Sequence, residues 1–476
     1  MEDVKRAAGS GQPVAVIGGG WAGCAAAVTL ARGGRAVTIF EAAPTLGGRA
    51  RRVARDGLPL DNGQHLLLGA YTRTLELLAI VLDHATLERV LTRRPLTLLP
   101  LSPTQPNALA LVRRHAPGAL GLAIALLDAQ GLTWRERFAN LWWFVALKRE
   151  RFTRPAGETV AQLLAPLPTR VAQRLWAPLC LAALNTPIAG ASAQIFANVL
   201  RAAFAGRGDA SDFILPVTDL STLFPEAAAR YVCERAGQLR LGSHARVVTA
   251  DAQCATLASE DGQRTVSAAI IAVGPHQLSD AFAPGALAGV PSLAAAVAAT
   301  QALTYEPIVT VWIGLASPIE LPAPIARLDD APGQWIVDRP DVLARSTADA
   351  ARPPIAQLLA VIISADGPHM KLPHDELARR VDAQVRRLGG GCGPCVWSQV
   401  IAEKRATYAC TPQRARPASP ALTPTLFLAG DYVDAEYPAT LEAAVRSGIA
   451  AAEALLNGPV TAPAPVRATR ISESSR

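Results

Sequence analysis

Gly18, Gly20 and Gly23 stand as G-x-G-x-x-G between the apolar run Val14-Ala15-Val16-Ile17 and a helix-forming stretch that begins Trp21-Ala22. That spacing is the chemistry of a dinucleotide-binding turn. Gly18 permits the tight turn, Gly20 lets a pyrophosphate approach the backbone, and Gly23 lets the helix pack close to the strand. At Trp21 and Ala22 the helix N-terminus offers free N–H groups and a positive dipole end to the phosphates. A second strand, Val37-Thr38-Ile39-Phe40, ends at Glu41. Its carboxylate can accept hydrogen bonds from both hydroxyls of a ribose and repels a 2′-phosphate, so NADP is not expected here.

The elements around this turn must position the rest. Gly47-Gly48-Arg49 follows Glu41 by a short loop. A NAD-binding unit does not require it, whereas it resembles the tripeptide that brings an arginine onto the pyrophosphate in glutathione-reductase-like FAD proteins. FAD is therefore expected rather than NAD. Two short strand-like pieces lead into Asp61-Asn62-Gly63-Gln64-His65, the element that returns to the flavin ring in such a domain. Gly63, Gln64 and His65 are placed at the cofactor on that basis, with a turn histidine as the other reading of His65. Arg246-Val247-Val248 and the strand ending Val273-Gly274-Pro275 return the chain to the nucleotide domain, Val247 covering the adenine through its backbone. A last strand ends at Gly430-Asp431, and a helix opens near Thr440-Leu441. Asp431 would bond the ribityl or pyrophosphate region. The helix would aim its positive end at the pyrimidine edge of the flavin, which is anionic when reduced.

The chain has 476 residues, enough for two or three domains and a large core. Half of it is hydrophobic, the mean hydropathy is +0.22, the net charge is +7 and the pI is near 9.2. No nucleic-acid-binding motif accompanies the basic excess, so an anionic membrane surface and a cofactor pyrophosphate are its expected counterparts. The start lacks an apolar leader and no run is long enough to span a bilayer, which predicts a cytoplasmic protein, peripheral on the inner face of the plasma membrane. Ala119 to Leu127 is almost wholly apolar. Phe138 to Leu147 carries Trp142, Trp143 and Phe144 and is followed by Lys148, Arg149, Arg151 and Arg154. These stretches read either as an interfacial cap or as buried helices of a substrate domain. The seven cysteines are scattered and are expected as free thiols. Cys392-Gly393-Pro394-Cys395 has the letters of a redox motif, but it follows a helix-like stretch and precedes a strand, which suits a plain turn.

Three separated blocks now agree: the N-terminal fingerprint with Gly-Gly-Arg, the Val-Gly-Pro strand, and Ala429-Gly430-Asp431 before the last helix. Together they resemble the FAD-dependent amine oxidase and phytoene desaturase superfamily. The resemblance implies an α/β fold: a discontinuous, glutathione-reductase-like FAD-binding Rossmann domain (13–91, 230–290 and 421–457) with an inserted α+β substrate domain (92–229 and 291–420). Residues 1–12 and 458–476 are expected as flexible tails. Asp61 to His65, Leu181 to Pro187 and Glu403-Lys404-Arg405-Ala406-Thr407-Tyr408 are similar, more narrowly, to bacterial hydroxysqualene dehydroxylases of hopanoid biosynthesis. Flavin amine oxidases usually carry a lysine on the substrate-domain sheet. This chain has none between Lys148 and Lys371, so amine oxidation is disfavoured.

That resemblance implies a reaction on an isoprenoid lipid: the allylic hydroxyl of hydroxysqualene is removed and squalene forms, with reduced FAD as hydride donor. It needs an apolar tunnel, a proton donor and a fixed flavin. His65, Tyr305 and Tyr437 are the candidate donors or wall residues. Asn185, Thr186 and Tyr305 are candidate substrate contacts, with capping as the other reading of Asn185 and Thr186. An external electron donor must re-reduce the flavin, and an upstream hydroxysqualene-forming enzyme is a natural partner. Two alternatives stay open: a carotenoid-type desaturase with hydride flowing to FAD, and a non-catalytic prenyl-lipid escort, against which Glu41, Gly47-Gly48-Arg49 and Asp431 argue.

Overall fold

The structure is a computed structural model. It describes residues 12–105, 108–113, 118–286, 290–347, 353–390, 393–417 and 420–458. Three short elements set the frame: β1 (Val14–Ile17), α1 (Trp21–Arg32) and β2 (Val37–Glu41). All of β1 is buried, and so is β2 up to Phe40, which explains their unbroken apolar lettering. They form the centre of a five-stranded parallel sheet. Its order is Gln238–Leu241, β2, β1, Ala268–Ile271 and Leu426–Leu428. The nucleotide domain is thus assembled from three stretches of chain. Its two framing helices are α1 and Leu441–Leu456, which meet where Gly448 lies against Ala22; a Cβ on Gly448 would stand 2.1 Å from the Ala22 carbonyl oxygen.

Two glycines of the fingerprint act through the backbone. Gly18 adopts φ +108°, closed to most side chains, and a Cβ on Gly23 would fall 1.9 Å from the Gly18 carbonyl oxygen. The turn and the start of α1 therefore collapse onto each other only when both are glycine.

The second layer is a five-stranded antiparallel sheet in the order Ile325–Arg327, Trp335–Asp338, Gln357–Ser364, Tyr305–Leu315, Cys395–Tyr408. One face carries Val309, Val311 and Ile313 and packs on the helix His374–Leu388. The other face carries Thr310 and Trp312 and looks toward Leu58, Leu60 and Gly63. A helical cap completes the molecule, with Gly118–Asp128, Trp134–Arg149, Ala177–Leu184 and Ala193–Phe204 sharing one apolar core.

The expected boundary between residues 229 and 230 falls inside the helix Pro225–Cys233. That helix packs with α1 through Ala228 and Val232, so Leu220 to Cys233 belong to the nucleotide layer. The stretch Leu175 to Pro187 is divided between a π-helical turn, Ala172–Trp176, and the helix Ala177–Leu184. Cys395 begins a strand, while Cys392 lies outside the described residues, as do residues 1–11 and 459–476. The six described cysteines are free thiols.

Candidate functional site

The fingerprint turn and the Gly-Gly-Arg loop are clasped together. Gly47 donates its N–H to the Gly19 carbonyl at 2.9 Å, and Gly20 bridges to Gly47 in parallel register. Glu41 closes the clasp from below. Its carboxylate accepts the Gly19 N–H at 2.6 Å and the Ala43 N–H at 2.8 Å, so it holds the loop. Gly20 caps α1 with no side-chain hydrogen bond. A bare cradle remains between the loops, where a Cβ on Gly48 would stand 3.3 Å from the Gly20 Cα. Bare backbone, uncapped helix N–H groups and a nearby guanidinium are the donor set a pyrophosphate requires, and FAD fits them. Trp21 and Ala22 contribute to this cradle through backbone alone. The Trp21 indole bonds the Ala50 carbonyl at 3.2 Å and packs on Phe224.

Arg49 ties both ends of the chain to this cradle. Its guanidinium donates to Asp431 at 2.6 Å and to the Ala406 carbonyl at 2.9 Å. Burial works against the Arg49 charge, but Asp431 beside it outweighs that and holds the group above its ordinary value. Gly430 is fixed in turn by the Ser447 hydroxyl, which accepts its N–H at 2.8 Å. Thr440 caps the last helix by accepting the Ala443 N–H at 3.2 Å, with Leu441 as its first residue. Val247 is buried beneath, its carbonyl accepting the Ala283 N–H at 2.8 Å.

Stretches remote in sequence converge here. Asn62 donates to Glu403 at 3.0 Å and to the Arg49 carbonyl at 3.1 Å. Gln64 donates its backbone N–H to Thr310 at 3.4 Å, and its side-chain carbonyl accepts from Arg339. Thr310 is therefore the sheet residue that faces the Gly63-Gln64 turn, in the stretch where an amine oxidase would be expected to carry lysine. His65 bonds the Gly63 carbonyl through Nδ1 at 2.7 Å. Burial lowers its pKa, so the ring is neutral at neutral pH; Nδ1 then donates and Nε2 is left as an acceptor. Such a ring suits positioning better than proton donation.

Asn185 and Thr186 are spent on the fold. Asn185 takes the left-handed conformation that ends its helix, and its amide donates to the Glu306 and Pro307 carbonyls and to Thr407. Its carbonyl accepts the Ala365 N–H at 2.8 Å. Thr186 donates to Leu184 and accepts from Cys410. Capping and cross-linking thus use the hydrogens a substrate would need.

Tyr305 differs. Its hydroxyl is buried and has no hydrogen-bond partner among the described residues, while its ring meets His276 at 6.1 Å and lies under Arg405. Burial raises the phenol, against the pull of Arg49 and Arg405, so it stays protonated at neutral pH. Tyr437 lies before the last helix with Arg446 over its ring at 4.9 Å.

Sequence reasoning had no signal for Arg339 or Trp312. Arg339 is buried, grips Asp341 at 2.8 and 2.9 Å, and lies 3.7 Å from Asp61. Burial pushes the Asp61 carboxyl up to about 7, against the opposing charge of Arg339. A carboxyl raised on folding contributes stability at pH values below its unfolded 3.8 that is lost as pH rises toward 7. Asp61→Asn lacks this titration. The melting temperature of the wild type minus that of the variant should therefore fall across this window, and a flat difference would contradict the burial argument.

Beside Gln64 and His65 stands an apolar wall. Leu66, Phe213, Leu215, Ile362 and Ile401 are only partly covered and pack against the buried cluster that includes Leu60 and Trp312. A partly covered apolar surface beside the Gly63-Gln64 turn suits contact with a greasy molecule.

The sequence pattern of flavin containing amine oxidoreductases matches residues 21–456. A hydroxysqualene dehydroxylase of Rhodopseudomonas palustris is 28% identical over 452 residues, covering 93% of this chain and 98% of that protein. A zeta-carotene desaturase of Synechocystis is 32% identical over 120 residues, 24% of each chain. Among solved structures, an oxidoreductase from Methanosarcina mazei superposes with a TM-score of 0.70 at 13% identity, covering 93% of this chain and all of its own.

Proposed function

Because the chain belongs to the flavin containing amine oxidoreductase family and is an FAD-dependent oxidoreductase, we propose that it reductively removes the allylic hydroxyl of hydroxysqualene to give squalene. The apolar wall beside Gln64 and His65 carries this reading, and the full-length similarity to a hydroxysqualene dehydroxylase supplies the substrate. When bound, FAD supplies hydride transfer at carbon.

The chain's own residues do the rest. Gly20, Gly48 and Arg49 hold the pyrophosphate. Leu66, Phe213, Leu215, Ile362 and Ile401 receive the thirty-carbon chain and exclude water. Gln64, held by Arg339, and His65, held by the Gly63 carbonyl, fix the turn between wall and cradle. Tyr305 holds a proton at its hydroxyl, which is buried with no hydrogen-bond partner among the described residues, and delivers it to the departing oxygen. The C–O bond breaks, the oxygen leaves as water, and the carbon gains hydride.

The test is anaerobic. Flavin-loaded protein is reduced and mixed with hydroxysqualene, and squalene should form as flavin reoxidises. Reduction of oxidised flavin by a polyene precursor, with no squalene formed, would favour the carotenoid-type desaturation suggested by the 120-residue match. Tyr305→Phe removes one oxygen. Turnover should drop by roughly 10²–10⁴-fold, as for loss of a positioned acid, with flavin content and KM retained. Unchanged turnover would remove Tyr305 from this role.

A further inference from the structure

The helix Trp134–Arg149 is apolar on both sides. Asn140, Trp143, Phe144 and Leu147 are buried in the cap. On the opposite side Trp134 is 63% exposed, Phe138 50% and Trp142 63%, four residues apart and so in one row. Leu120 of the neighbouring helix, Val112 and Leu241 are the other large hydrophobic side chains so exposed among the described residues. Trp134 and Phe138 meet at 6.2 Å, and Arg137 lies over the Trp134 ring at 4.7 Å. Arg135, Lys148, Arg149 and Arg151 are exposed around the row. The two acidic residues of this stretch are engaged, Glu136 in the helix cap with Thr133 and Glu150 with Arg154. A clustered aromatic ridge with a basic border is the kind of exposed apolar patch that marks an interaction surface.

We propose that this ridge docks on an anionic lipid bilayer, with Trp134, Phe138 and Trp142 in the headgroup region and the bordering cations on lipid phosphates. Aromatic side chains with a polar edge favour that depth, and basic residues beside them favour an anionic surface. A second copy is a poorer fit, because a two-fold contact would set Arg135, Lys148, Arg149 and Arg151 against their own counterparts. Among the described residues no helix is long and apolar enough to cross a membrane, so the contact is peripheral. The same cap carries a narrow crevice whose lining includes Leu98, Leu175, Leu179 and Trp335 together with Arg174 and Arg327. Trp335 packs on both the cap core and the apolar cluster that includes Leu60 and Trp312. The docking surface stands whichever lipid is the substrate.

The test uses the full-length, flavin-loaded protein and vesicles of phosphatidylcholine with or without phosphatidylglycerol. Co-sedimentation should require phosphatidylglycerol, weaken with salt, and bring a blue shift of tryptophan emission. The triple variant Trp134→Ser/Phe138→Ser/Trp142→Ser should bind such vesicles roughly 100-fold more weakly, with flavin content and melting temperature retained. Absence of wild-type binding, or equal binding by the triple variant, would overturn the proposal. So would a wild-type dimer in ultracentrifugation that the triple variant converts to monomer, which would assign the ridge to a second copy.

Discussion

A Gly20→Val variant should fold normally and purify without flavin. Gly20 has φ −76° and ψ −179°, an extended conformation that valine adopts readily. A Cβ there meets nothing closer than the Gly48 Cα at 3.8 Å, an ordinary contact. The fold loses only the preference for glycine over valine at the helix N-cap, while the methyl groups occupy the cradle where the pyrophosphate must approach. Flavin affinity should fall by at least ~100-fold, a loss near ~2.8 kcal/mol. The measurement is visible flavin absorbance per mole of protein, with circular dichroism as the control for folding. Gly23→Ala makes the contrast: its Cβ strikes the Gly18 carbonyl oxygen, so it should lose fold and flavin together. Normal flavin content in Gly20→Val would show that the cradle is not the phosphate site.

Arg49→Ala should have the second-largest effect. The Asp431 side chain is 5% exposed and its carboxylate is paired with Arg49 at 2.6 Å. Removing the guanidinium leaves that carboxylate buried without its partner, which costs about 3–5 kcal/mol where such a pair is fully buried. Arg49 itself is 29% exposed, so the lower part of that range is the expectation. The Ala406 carbonyl also loses its donor, and the cradle loses its positive charge. Chemical denaturation should show the lower stability, and equilibrium dialysis the weaker flavin binding. Arg49→Lys keeps the charge without the two-pronged geometry and should recover stability more than flavin affinity. An Arg49→Ala protein as stable and as yellow as the wild type would refute the pairing.

Both predictions turn on groups the sequence displayed unequally. The fingerprint and Glu41 were legible because their partners lie within one strand–helix–strand unit and the loop after it; Gly47-Gly48-Arg49 was legible only by resemblance, since the partners of Arg49 lie 357 and 382 positions away. The Glu403 to Tyr408 stretch showed itself only as a resemblance. In the structure it supplies Glu403 to Asn62, the Ala406 carbonyl to Arg49 and Thr407 to Asn185. Asn185 and Thr186 pointed to a cavity as readily as to a cap. The cap won because a left-handed residue closing a helix brings its amide against the carbonyls of a strand more than a hundred residues away.

The choice of FAD over NAD came from the resemblance of Gly47-Gly48-Arg49 to FAD proteins; from its letters alone the chain determined the dinucleotide turn, the strand–helix–strand unit around it and the acidic end of the second strand. These follow from local periodicity and from positions that admit only glycine. Tertiary structure alone decided that Arg49 meets Asp431 across 382 positions, that buried Arg339 steadies Gln64, that His65 spends its proton on Gly63, and that Trp143 faces the core while Trp142 faces outward. Adjacent tryptophans on a helix differ by about 100° in direction, a fact of geometry. Which of them meets the core depends on what packs against the helix, and a single sequence does not carry that information.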